Sequence, residues 1–146
     1  MDVSDGSSLT SSNIAVGDQL APMDIEVTTT AIVAGALATH DWMPMHHDRD
    51  FAQSQGAPDV FMNIFSTNAY IARFITDWAG PEALLKSINV RLGVQAVPGQ
   101  VLQFRGEVLS KTDADGETLV EVSVRASNDV GDHATGSATL TVTLAN

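Results

Sequence analysis

One segment limits this chain more than any other. Residues 63–79 read as a long helix, and every run after it alternates. Ile64, Ala69, Ile71, Phe74, Ile75 and Trp78 give that helix a wide apolar face, so it must be covered by something else. Asn63 or Ser66 has the side chain to cap its start, and Gly80-Pro81 stops it. Residues 83–92, 100–110, 118–128 and 133–144 alternate apolar with polar positions, the mark of strands. Pro98-Gly99, Asp113–Gly116 and Asn128–Gly131 read as turns. The last three runs are close enough to pair antiparallel. The expected class is α+β, with the long helix laid on, and wrapped by, a curled antiparallel sheet.

Upstream, residues 24–30 alternate as a strand, and residues 31–39 form an Ala-rich, apolar stretch that reads as a short buried helix with Thr30 at its cap. Residues 40–58 read as loop, with one helical turn around 48–55. Residues 1–20 are rich in Ser and Gly and read as a flexible tail, leaving 21–146 as one domain.

Charge narrows the function. Eighteen acidic residues against seven Lys and Arg give a net charge of −11. Nucleic-acid binding needs a basic footprint that this chain lacks. A polybasic membrane anchor is excluded on the same ground. There is no cysteine, hence no disulfide framework and no thiolate chemistry. The start of the chain lacks the basic and apolar blocks of a signal peptide. The longest apolar stretch, residues 31–38, is far short of the roughly 20 residues that a bilayer requires. A cytoplasmic protein is expected.

The chemistry sits between the two helical segments, in His40-Asp41-Trp42-Met43-Pro44-Met45-His46-His47-Asp48-Arg49-Asp50. Asp41 and His46 are five residues apart, about 140° around a continuous helix, so they converge only if the chain bends. Pro44 gives it reason to bend. A carboxylate and an imidazole sharing one water form a general acid/base pair, with the imidazole able to carry a proton at neutral pH. The alternative is that both are solvated loop residues, or that Asp41 caps a helical turn. No metal is expected: adjacent His46 and His47 diverge, and no further ligand cluster exists except distant His133. His47, Asp48, Arg49 and Asp50 read as a charged turn with local pairing. No Gly-x-Ser-x-Gly elbow and no Gly-rich phosphate loop is present. Trp42 and Trp78 read as packing residues.

Asp41-x-x-Pro44-x-His46, with Ala52 six residues on, resembles the hydratase signature of MaoC-like enoyl-CoA hydratases. Where that pattern has Gly before the Asp and Asn before the Pro, this chain has His40 and Met43. The segments 46–50, 59–64, 76–81, 83–88, 91–94 and 131–133 resemble more closely the small subunit of actinobacterial steroid side-chain enoyl-CoA hydratases. The resemblance implies a hot-dog fold and a heteromeric enzyme acting on an acyl-CoA, with no cofactor beyond the CoA of the substrate. The implied partner is a second MaoC-like chain, possibly fused to an OB-fold domain. A lipid-transfer-protein-like aldolase is a further possible associate.

By the same resemblance Asp41 and His46 match the catalytic pair. Asn63 matches the position whose backbone N–H binds the thioester oxygen, although it also suits a plain N-cap. Arg91 sits where it could reach a CoA phosphate, or else snorkel or pair with an acid. Met62, with Met43 and Met45, would line a pocket for a bulky apolar acyl group, or simply fill the core. Three rival functions stay open: a non-catalytic subunit completing a partner's acyl-CoA site, a hot-dog thioesterase, and an acyl-CoA binding module.

Overall fold

The computed structural model describes residues 8–114 and 116–144. Its elements are β1 (Met23–Glu26), α1 (Thr29–Ala38), a 3-10 turn (Pro44–His46), α2 (Arg49–Ser54), α3 (Ile64–Ala79), β2 (Leu84–Leu92), β3 (Val101–Arg105), β4 (Val108–Ala114), β5 (Glu117–Ser127) and β6 (Asp132–Thr143), with a further 3-10 turn at Ser11–Asn13. Six strands form one antiparallel sheet in the order β1-β3-β5-β6-β2, with β4 pairing alongside β5. This is the helix wrapped by a curled antiparallel sheet that the alternation predicts, and the hot-dog arrangement that the resemblance implies.

Alternation does the building. Every second residue of β5 from Thr118 to Ala126 is buried, and Val120, Val122, Val124 and Ala126 share one core with Ile71, Phe74 and Ile75 of α3 and with Leu102, Phe104 and Leu140. The rings of Phe74 and Phe104 lie 6.0 Å apart, joining helix to sheet. Asn63 caps α3, and Gly80 ends it at φ 87°, a left-handed conformation that suits glycine. The sheet covers one face of α3 and α1 lies along another, whereas Ile64 and Phe65 at its start stay exposed.

Several expectations change. From residue 8 onward the supposed tail is docked: Leu9 N–H donates to Ala79 O, Leu20 N–H to Gly106 O, and Ile14 and Leu20 are buried in the core. Two apolar side chains in a polar stretch gain about 1.5–3 kcal/mol each by reaching the core. The expected tail's first seven residues lie outside the described residues, as does Asp115 in the turn at 113–116. The strand read at 100–110 is interrupted at Gly106 and becomes β3 and β4, both paired with β5; at the interruption the backbone passes so close to Ser123 O that a Cβ would lie 2.3 Å from it, which suits glycine. The first helix starts at Thr29, capped by Thr28 instead of Thr30, and is not a buried helix: only Ile32 and Ala36, one turn apart, are fully covered. An all-round apolar sequence still has only one stripe facing α3. Among the described residues, no helix is long and apolar enough to cross a membrane.

Candidate active site

Three elements deliver the site. The end of α1 carries Thr39 and Asp41, the 3-10 turn carries His46, and the start of α3 carries Asn63. Helix α1 gives way to a tight bend in which Asp41 N–H donates to Ala36 O. His40 takes φ 55°, a left-handed conformation that costs most side chains strain and that histidine visits more readily than most. That is a physical reason for glycine at the position in the family signature. Pro44 then opens the 3-10 turn, with Met43 extended at ψ 125° as a residue before proline must be. His46 therefore swings back toward Asp41.

The resulting geometry is specific. Asp41 Oδ2 lies 3.4 Å from His46 Nε2. His46 Nδ1 lies 2.7 Å from Phe61 O. A carbonyl only accepts, so Nδ1 carries a hydrogen, and Nε2 is the ring nitrogen that faces the carboxylate. The Phe61 ring also meets the imidazole edge-on, at 5.1 Å between centroids. The Asn63 amide donates to Asp41 Oδ2 at 2.9 Å, and Met43 N–H donates to Asp41 Oδ1 at 3.3 Å. The Asn63 amide, with the Met43 N–H and the nearby imidazole, holds the Asp41 carboxyl below the usual carboxylate range against the opposing effect of burial. His46 is buried, and Asp41 is only 15% exposed at its side chain. A carboxylate oxygen and an imidazole nitrogen thus converge on a small, partly dry spot.

Other expected residues fall elsewhere. Met62 is packed into the core while Met43 is half exposed, so the methionines do not form one cluster. Burial makes Met62 a core residue first. Arg91 is exposed on the edge strand β2. Trp42 does not pack inside: it is 65% exposed and stacks on His40. Trp78 does pack against the core. The charged turn does not pair locally either. Asp48 caps α2, and Arg49 reaches Asp59 at 2.9 Å. Among the described residues no group of three or more His, Asp or Glu gathers as a metal site would require.

Sequence reasoning missed a second buried histidine contact. His133 Nδ1 donates to Val94 O at 2.7 Å, and its Nε2 lies 2.9 Å from Thr67 Oγ1 on α3. Burial pushes the His133 imidazole below its ordinary range. No local pattern signals this pair, because its members are 66 residues apart.

A family model for the MaoC like domain matches residues 12–130. This chain belongs to the MaoC-like family. A 3-oxo-4,17-pregnadiene-20-carboxyl-CoA hydratase beta subunit from Mycobacterium tuberculosis is 42% identical over 127 residues, spanning 87% of the MaoC-like chain and 95% of that relative. A chain in the crystal structure of the ChsH1-ChsH2 complex from Mycobacterium tuberculosis matches with a TM-score of 0.82 at 42% identity, over 88% of this chain and 98% of that one. An (R)-hydratase from A. caviae involved in PHA biosynthesis matches with a TM-score of 0.80 over 91% of this chain and 98% of that one. At 16% identity it speaks for the MaoC-like fold alone.

Proposed function

We propose that this MaoC-like chain is a subunit of a heteromeric 2-enoyl-CoA hydratase, and that Asp41 and His46 are its acid/base pair. The observation that carries the reading is the approach of Asp41 Oδ2 and His46 Nε2 to 3.4 Å, with the proton on His46 Nδ1 committed to Phe61 O. Asp41 stays ionised and orients a water. His46 Nε2 takes one proton from that water as its oxygen bonds to the β carbon of the enoyl thioester. The electrons of the double bond move onto the thioester oxygen. The Asn63 backbone N–H, at the positive end of α3, stabilises that oxygen. Return of the proton from His46 to the α carbon completes the addition, so one water is consumed and nothing is left over. No redox or metal cofactor enters; CoA arrives with the substrate.

The relative that is 42% identical is named for a steroid side-chain acyl-CoA. We assign a steroid side-chain enoyl-CoA to this chain by that likeness, and a second MaoC-like chain as its partner by the likeness to one subunit of a two-component complex. Arg91, an exposed cation on β2, is the side chain we assign to a CoA phosphate. A cytoplasmic location suits a cysteine-free chain that acts on acyl-CoA.

The test is hydration of a 2-enoyl-CoA by the purified assembly, followed by loss of enoyl-thioester absorbance. Asp41→Asn and His46→Ala each lower kcat by about a hundredfold or more, the usual contribution of a positioned acid or base. Full activity in either variant overturns the assignment. Release of free thiol, read with a thiol reagent, would instead mark a thioesterase.

A further inference from the structure

The Asn63 side chain does more than cap a helix. Capping needs one oxygen, and Ser, Thr or Asp supplies it as well as Asn. Asn63 Oδ1 accepts from Ser66 N–H at 2.9 Å, which is that cap. The nitrogen has other work. Nδ2 donates one hydrogen to Asp41 Oδ2 at 2.9 Å and the other to Thr39 Oγ1 at 2.9 Å. Thr39 Oγ1 spends its own hydrogen on Gly35 O at 2.8 Å, so it is free to accept. The amide is 3% exposed, and this donor pattern fits only one of its two flipped orientations. The helix start thus forces the nitrogen toward the carboxylate.

We propose that the Asn63 carboxamide is a positioning residue for the hydration step: it clamps Asp41 Oδ2 between α1 and α3 so that the carboxylate presents its remaining lone pair beside His46 Nε2. The proposal rests on the acid/base reading of Asp41 and His46. It goes beyond the backbone role of Asn63, since it concerns the side-chain nitrogen. The groups facing Asp41 are few. The end of α1 offers neutral Thr39, α3 offers neutral Asn63, and the 3-10 turn offers His46. His40, next in the chain, stacks on Trp42. The anion is therefore steadied mainly by dipoles aimed at it. Loss of the amide frees the carboxylate to rotate and to take up a proton more readily.

Two substitutions separate the clamp from the cap, both made in the full chain within its native assembly. Asn63→Ser keeps an oxygen for Ser66 N–H and loses the donor. It lowers kcat about ten- to a hundredfold, the range for a hydrogen bond to a charged group, and changes KM by less than about threefold. Asn63→Asp keeps a strong cap and sets a second carboxylate against Asp41. Its deficit is larger at pH 8 and shrinks by pH 6, as the substituted carboxyl regains a proton and becomes a donor again. A Ser variant that folds and keeps kcat within about twofold of the parent overturns the proposal, as does an Asp variant whose deficit is the same at both pH values. Carbon-detected NMR titration of Asp41 decides the matter without turnover. The midpoint moves up in Asn63→Ser if the clamp is real, and an unmoved midpoint overturns it. An inactive parent assembly would sink the hydratase reading while leaving this titration to judge the clamp.

Discussion

Thr67→Val tests the buried contact beneath the site. Thr67 is fully buried on α3, with Oγ1 2.9 Å from His133 Nε2 and 3.2 Å from Asn63 O. One hydroxyl hydrogen serves only one of them. His133 Nδ1–H goes to Val94 O, so Nε2 is the acceptor and takes it. Valine matches threonine in volume, so no cavity opens. What remains is an imidazole nitrogen in a residue only 3% exposed, with no donor. Such an orphaned acceptor costs about 1–3 kcal/mol. For a chain of this size that lowers Tm by about 3–9 °C. Thermal unfolding at fixed protein concentration measures it, alone and on a His133→Leu background. On that background the acceptor is gone, and the same substitution costs less than about 0.5 kcal/mol. Equal costs on the two backgrounds, or no cost on the parent, would refute the hydrogen bond. The pH dependence adds a second check. Burial depresses the folded His133, so the unfolded chain binds more protons between that lowered value and its ordinary value of about 6.5. Stability from this residue is fully present above about 6.5 and is lost as pH falls toward the folded value. His133→Leu removes that part of the slope.

Two further substitutions probe the frame. Gly136→Ala places a Cβ 2.1 Å from Asn89 O and 2.8 Å from Val90 Cα, backbone atoms that cannot rotate away, so β6 and β2 must separate. A loss of about 1–3 kcal/mol in denaturant unfolding is expected, and an unchanged midpoint would show that the strands have more room than their spacing implies. Arg49→Ala breaks the ion pair with Asp59, but the Arg49 side chain is 58% exposed. Its cost stays below about 1 kcal/mol, and a larger loss would mean that the guanidinium holds the 46–60 segment in a way its exposure does not suggest.

How far the chain could be read follows from which signals are local. The long helix and its stop are legible because Asn63, Gly80 and the apolar face each act on residues only a few positions away. The late strands are legible because period-two alternation survives along β5 and β6. Segment 8–20 looks like a tail in the sequence because its two anchors, Ile14 and Leu20, have meaning only once a core exists for them. The close approach of Gly106 to Ser123 O involves a residue on another strand, which no local pattern shows. In the site, the proline bend at Pro44 supports convergence of Asp41 and His46, but the Asn63 amide crosses 22 residues to reach Asp41, and no spacing rule reaches that far.

By itself, then, the order of residues decided what each stretch prefers to be: which segments coil, which extend, where they stop, and which side of each avoids water. Those preferences come from backbone sterics and from side chains a few positions apart. Only the folded molecule decided which hydrogens went to which acceptors. The hydrogen on His46 Nδ1 goes to Phe61 O, the Asn63 nitrogen's hydrogens to Asp41 and Thr39, and the Thr67 hydroxyl to His133. Each of those choices depends on distances of a few ångströms between distant parts of the chain, and burial, which removes competing water, makes them matter.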